Sequence, residues 1–481
     1  MANKFTNPQY YTDIANAIRT INGLSRTYTP PQMAQAILDL NISTGEAPEL
    51  TGLTIVTPPN KTIFGVGETF HLNGIKLKAS YSGGYYRWLT ANDITTSLGY
   101  NYTFTTSDVG TKTITITYRD EWDNIANVTL GISIIVIVYG AEWDGSSTTK
   151  WTRTDQAADF EDPTPAINNG TGSSPFDNIA PWSEMTIVED SAGGTLVKIP
   201  KFYYKWTRNG DAMKLQITTT NTSGFSVSPA HMNRGDGKGE RDVIYVGRYH
   251  CASDYKSKTG VTPEGNHTRA EFRTSIHNLG STIWQNDIAL FWTIRMLYLV
   301  EYADWNAQAV IGYGCSPSSS LGNMGGTDSM QYHTGTSAAN RTTYGWTQYR
   351  NIEGLWDNVY DWCDGIYFNG NSIYGILNPA NFSDTANGTL AGTRLTTGGN
   401  SITKWNTPSA TDYTWLLFPS QTTSGTNTYI SDGYLVNGYG VTLLVGGNYS
   451  MTTSDGLFYL NCGNQASTKN AAYGSRIMKL P

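Results

Sequence analysis

One stretch limits the folds open to this chain more than any other: "NDIALFWTIRMLYLVEYADWNAQAV", residues 286–310. Asn286 or Asp287 supplies an N-cap, and Ile288, Phe291, Trp292, Ile294, Leu297, Tyr298 and Val300 follow at helical spacing. The apolar side chains occupy more than one face, so other layers must cover the helix on most sides, unless lipid does. Asp287, Arg295 and Glu301, with the Asp304-Trp305-Asn306 end, argue against lipid. The chain therefore has to build a thick core around this helix. Its 481 residues leave room for two or three domains.

The rest of the composition points to β structure. Glycine (50), tyrosine (31) and tryptophan (14) are abundant, whereas charged residues make up only 15% of the chain. The polar surface must then be built from Thr, Ser, Asn and Gly, which suits loop-rich β structure and recognition of neutral ligands by hydrogen bonding and stacking. Lysine and arginine number 32 against 39 acids, for a net charge of -7, and no basic stripe interleaves with aromatics. No nucleic-acid partner is expected. The opening "MANKFTNPQYYTDIANAIRT" lacks an apolar segment, so no signal peptide is expected. "VTLGISIIVIVYG" (128–140) is too short to span a bilayer and reads as a buried strand, so no membrane insertion is expected. Cys251, Cys315, Cys363 and Cys462 show neither disulfide-scaffold density nor a CxxC spacing, and read as buried thiols.

Four segments follow along the chain. Residues 1–45 form a small helical module, with Tyr11, Ile14, Ala15, Ala17 and Ile18 on one stripe. Thr29 can cap a second helix with Pro30 at its first position and Met33, Ala36, Ile37 and Leu40 inside. Both are too short to stand alone, so the module should serve attachment or oligomerisation. Residues 50–139 read as an all-β unit, in which "TKTITITY" (111–118) sends Ile114, Ile116 and Tyr118 to one face and threonines to the other. Residues 140–194 read as a loop-rich lead-in, and 195–481 as a string of short strands around the long helix. No internal repeat is present.

Two resemblances sharpen this outline. "LTIVTPPNKTIFGVGETF" (53–70) and "TSDVGTKTITITYRD" (106–120) resemble the bacterial immunoglobulin-like domains that serve as spacers in surface and phage tail proteins. From about residue 195 the chain resembles the C-type-lectin-like fold, in the branch shared by formylglycine-generating enzymes and phage or bacterial receptor-binding proteins. "DNVYDW" (357–362) keeps Trp362, with Asp357, Tyr360 and Asp361 in the family's glycine, tryptophan and glutamate places. "VGGNYS" (445–450) keeps Gly446 and Gly447 but has Val445 for an arginine, and "YGSRIM" (473–478) keeps Gly474 and Arg476. The fold class expected is mainly β with α+β: a helical module, an immunoglobulin-like β-sandwich and a C-type-lectin-like domain. Trp356, Asn358, Asp361, Trp362, Gly446, Gly447, Gly474 and Arg476 are expected to be structural, the aromatics filling core and Asn358 and Asp361 satisfying buried backbone groups.

The order of segments resembles a phage tail or virion adhesin. That implies a virion location, exposed to the medium, and a homotrimer whose N-terminal module joins other virion proteins. The partner implied is a bacterial surface receptor, glycan or protein. Late loops would bind it, with Tyr413, Trp415, Tyr429, Tyr434, Tyr439, Asn448, Tyr449, Tyr459, Asn461, Asn464 and Tyr473 as candidate contacts. Tyrosine offers a rigid face and a hydroxyl at small entropic cost, and asparagine adds adaptable hydrogen bonds. No catalytic residue is expected. The oxidase branch needs a close pair of late cysteines, and only Cys462 lies there. HExxH, P-loop and GxSxG motifs are missing, and the six histidines show no ligand spacing. "DGKGERD" (236–242) is oxygen-rich without EF-hand spacing, so no cofactor is expected; calcium alone is allowed by the resemblance. "RGD" (234–236) reads as a solvated turn. The alternatives are a virion decoration protein and a tail-associated glycan hydrolase using acids such as Asp357, Asp361 and Asp364.

Overall fold

The computed structural model describes residues 8–22, 27–29, 32–33 and 49–481, except 146–148, 169, 316–319, 357, 386–387, 407–409, 425–429, 439 and 452–453. The chain divides into two units, Met1–Ile134 and Ile135–Pro481. Among the described residues, no helix is long and apolar enough to cross a membrane.

The first unit begins with α1 (Pro8–Asn22), whose Ala15 and Ile18 are buried together with Tyr28 and Met33. Of the second helix expected here, Pro30, Ala36, Ile37 and Leu40 lie outside the described residues. Seven strands follow: β1 (Leu50–Thr57), β2 (Ile63–Gly65), β3 (Lys76–Tyr81), β4 (Tyr86–Leu89), β5 (Thr95–Thr96), β6 (Gly110–Arg119) and β7 (Ile125–Ile135). They form two sheets, ordered β1-β3-β4 and β2-β7-β6-β5. Ile114, Ile116 and Tyr118 on β6 are buried, as their alternation requires, and meet Leu77, Phe70 and Phe104 in the core between the sheets.

The second unit is a multi-sheet body around the long helix. Residues 139–155 supply β8 (Tyr139–Trp143) and β9 (Thr152–Asp155). With β10 (Tyr203–Asn209), β11 (Ala212–Thr218) and β12 (Ser226–Val227) these make one sheet, ordered β12-β10-β11-β8-β9. The segment expected as a lead-in is therefore part of this unit. Trp143, Trp151, Phe176 and Trp182 from it are buried in the main core, which a loop composition rich in Gly, Ser and Asp conceals. Three helices follow among the described residues, α2 (Arg269–His277), α3 (Ile288–Tyr302) and the short α4 (Ala307–Val310).

Helix α3 starts where its cap predicts: the Leu290 amide donates to Asp287 Oδ1 at 2.8 Å. It ends at Ala303 in the left-handed region, φ 51°. Every residue of α3 is buried, so its polar groups need partners inside the protein. Asp287 pairs with Arg234. Glu301 accepts from Arg350 Nε at 3.0 Å, Tyr349 at 3.0 Å and Ser174 at 2.8 Å. Arg295 donates to the Leu457 carbonyl at 2.8 Å and lies over the Trp292 and Phe458 rings. A second sheet packs nearby, built from β13 (Tyr360–Cys363), β14 (Tyr434–Val436), β15 (Thr442–Val445), β16 (Leu460–Asn464) and β17 (Tyr473–Gly474), in the order β14-β16-β15-β13-β17.

Candidate ligand-binding site

The three motif fragments lie side by side on the last of these sheets. Asp361 on β13 is in register with Val445 on β15 and with Gly474 on β17. Arg476, just beyond β17, is fully buried. It donates to Asp361 at 3.3 Å, to the carbonyls of Gly247, Arg248, Glu353 and Gly354 at 2.8–3.0 Å, and to His250 Nε2 at 3.1 Å. Burial works against the Asp361 carboxylate, but His250 and Arg476 hold it below its usual range. Burial, aided by Arg476 and opposed by Asp361, lowers His250. Asn358 sits at φ 43° and clasps Gly322, accepting from its amide at 2.9 Å and donating to its carbonyl at 3.1 Å. Trp356 donates to the Gly312 carbonyl and Trp362 to that of His267, each at 3.1 Å. Gly446 and Gly447 have φ of 91° and 99°, and a Cβ on Gly447 would strike the Asp455 carboxyl. The cluster stitches segments of the chain together.

Most of the expected contact residues are also inside. Tyr413, Trp415, Tyr434, Asn448, Tyr459 and Asn461 are buried. The Tyr413 ring fills the space beside Gly375, where a Cβ would meet it at 2.1 Å. Trp415 donates to the Asp412 carbonyl at 2.8 Å, and Tyr434 to that of Leu395 at 3.1 Å. Tyr459 packs on Tyr360 with the rings tilted, their centroids 5.8 Å apart. Asn448 caps Ser450, and Asn461 accepts from the Gly463 amide. These side chains satisfy the core instead of displaying a surface, because a buried tyrosine with a carbonyl partner loses nothing by leaving water. Tyr449, Asn464 and Tyr473 are half-buried, and Tyr473 donates to Asn464 at 3.2 Å. Tyr429 and Tyr439, like Asp357, lie outside the described residues.

A different surface gathers the chemistry expected of the late loops. Strand β12 pairs with β10 only at Tyr203 and Tyr204, so the edge of β10 has no strand partner beyond that point among the described residues. A depression of about 330 Å³ results, lined by Tyr204, Lys205, Trp206, Arg208, Gly224, Ser226 and Thr414. Tyr204, Trp206 and Arg208 alternate along β10 and share one face. Burial pushes the Tyr204 phenol up to about 12, against hydrogen bonds to Thr414 and Ser226, so it stays protonated and can donate. Arg208 is anchored on the Trp405 carbonyl at 2.6 Å. The Trp206 indole N–H is buried without a partner among the described residues. Of these residues the sequence reading named none. The signal is the every-other spacing of Tyr204, Trp206 and Arg208 in "FYYKWTR" (202–208).

A second depression, about 350 Å³, is lined by Lys150, Trp151, Asp162, Tyr302, Asp304 and Arg341 among others. Trp151 on its wall lies 6.2 Å from Trp206, ring to ring. Burial raises the Asp304 carboxyl, and Asp162 raises it further. Elsewhere, the described residues hold no cluster of three or more His, Cys, Asp or Glu placed to bind a metal. In "DGKGERD", Asp236 is engaged by Arg241 and by the Lys238 amide at 3.2 Å. Arg234 of "RGD" is not solvated: it is buried on Asp287 and the Leu377 carbonyl. Cys251, Cys363 and Cys462 are buried, and none of the four cysteines is in a disulfide.

No curated protein matches this chain. Residues 56–131, which include most of the two-sheet sandwich of the first unit, match the family described as bacterial Ig-like domain (group 3), and that part of the chain is an Ig-like β-sandwich compatible with an adhesion role.

Proposed function

We propose that this protein is a non-catalytic adhesin that binds a bacterial cell-surface glycan, and that the Trp206 depression of the second unit is its contact site. The observation that carries the proposal is the half-buried Trp206 ring, with its unpartnered indole N–H, beside Arg208 and the hydroxyls of Tyr204, Ser226 and Thr414 on one open strand edge. A pyranose ring has an apolar C–H face and a polar rim, which this combination matches. The Ig-like domain supports an adhesion role by providing reach. The lectin-like character of residues 195–481, attachment through the N-terminal module to a phage virion and a trimeric, multivalent state belong to the same proposal. Binding of the full chain to intact bacteria tests it. Free envelope polysaccharide should compete, and protease treatment of the cells should not. Loss of binding on protease treatment would assign the receptor to protein.

One observation favours a second reading, hydrolysis of a surface glycan: Asp162 and Asp304 line the same depression beside Trp151. An Asp304→Asn variant and a reducing-end assay on the bound polysaccharide separate the two. Reducing ends released by wild type and not by the variant would establish hydrolysis.

A further inference from the structure

The Ig-like domain exposes more aromatic surface than a stiff spacer requires. Tyr85, Tyr86 and Trp88 are 70%, 55% and 57% exposed, and Val56 on β1 is 50% exposed. Tyr86 and Trp88 alternate along β4 and share a face, their rings meeting edge-on at 5.6 Å. Lys78, the register partner of Trp88, places its Nζ 4.7 Å from the Tyr86 ring centre. Beside Trp88 runs a groove of about 520 Å³ lined by Val56, Thr57, Lys76, Leu89 and Thr90.

Charge is segregated on the same sheet. Lys61, Lys112 and Arg119 pair with Glu68, Asp108 and Asp123. Of the domain's other three cations, Arg87 on β4 turns to the opposite face, where it donates to Tyr118 at 3.4 Å and helps lower Asp93, whereas Lys76 and Lys78 on β3 have no ion pair among the described residues. Uncompensated positive charge beside exposed aromatic rings favours an anionic partner with an apolar face.

We propose that this sheet face binds an acidic saccharide, Trp88 stacking on a sugar ring while Lys76 and Lys78 meet its carboxylates. The groove offers aliphatic carbon, threonine hydroxyls and an ammonium group, complementary to the C–H face, hydroxyls and carboxylate of a uronic-acid-type sugar. An added β-strand is the poorer occupant. β4 has only four residues and is flanked by 3-10 turns at 82–84 and 91–93, too short an edge to hold a register. The site is independent of the Trp206 depression, and its test does not depend on that one.

The full chain is titrated with polygalacturonate, with neutral dextran and with polyglutamate, at low and raised salt. Polygalacturonate should bind, weaken as salt rises, and outbind both controls. Trp88→Ala should weaken it about tenfold, Trp88→Phe should retain most of it, and Lys76→Glu with Lys78→Glu should abolish it. Trp88 and Lys76 are exposed and Lys78 is half-buried, so unchanged melting temperatures are expected of the Trp88 and lysine variants. Absence of polygalacturonate binding, or equal affinity in wild type and Trp88→Ala, overturns the proposal. So does equal or tighter binding of polyglutamate, which would assign the face to an acidic peptide, and loss of binding in Trp206→Ala, which would move the ligand to the other unit.

Discussion

Arg476 donates to Asp361 across 3.3 Å although 115 residues separate them in sequence. The contact joins the last residues of the sequence to a strand inside a sheet, and the guanidinium also holds four carbonyls at the ends of two other strands. Removing one partner of a buried ion pair costs more than the pair itself contributes, because the other charge is stranded.

Arg476→Met should therefore lower stability by about 3–5 kcal/mol, read from urea unfolding midpoints. Asp361 adds a pH dependence. Its folded value lies below the unfolded one, so its contribution is complete above the ordinary carboxylate range and is lost as pH falls through the lower folded value. Asp361→Asn should flatten that acid limb.

Asp432 should act in the opposite sense. It is buried, and burial raises its carboxyl to about 7 despite the Phe458 amide bond and the Arg295 charge. A raised acid favours the folded state while protonated, so stability falls as pH rises from the unfolded value near 4 through about 7. Asp432→Asn keeps an acceptor for Phe458 and removes the charge. Its melting temperature should exceed wild type at alkaline pH, by the equivalent of about 4 kcal/mol at most, and the two should converge in acid. A parallel pH profile in both proteins would refute the assignment.

Thiol chemistry offers a third check. Burial pushes Cys462 up to about 12 and Cys251 and Cys363 well above their ordinary value. In the native protein only half-buried Cys315 should react promptly with an aromatic disulfide at mildly alkaline pH, and all four should react in denaturant. A fast-reacting Cys462 would reopen thiol chemistry at the end of the chain.

Parts of this molecule were legible in the sequence, and the reasons differ by residue. Helix α3 was, because Asp287 caps it and its apolar residues leave no face for water. Strand β6 was, because Ile114, Ile116 and Tyr118 alternate with threonine. The late tyrosines were not. In "GLFYLNC", Leu457, Phe458, Tyr459 and Leu460 are all buried, so alternation carries no information about which face meets solvent. Composition cannot separate a core tyrosine bonded to a carbonyl, as Tyr434 is to Leu395, from one offered to a ligand. The Trp206 depression depends on where β12 stops pairing with β10, a tertiary event with no local signal. Trp143, Trp151 and Trp182 show the reverse error, aromatic anchors hidden in a loop-like composition.

The central claim is that the second unit holds a glycan at Trp206 and leaves it chemically intact. The most direct measurement titrates wild type and Trp206→Ala with purified bacterial envelope polysaccharide and follows polymer length in the same samples. Buried aromatic anchors carry about 2 kcal/mol or more of binding energy, so the variant should bind about 30-fold more weakly, with polymer length unchanged in both. Equal affinity in the two proteins, or shortening of the polymer by wild type, would contradict it.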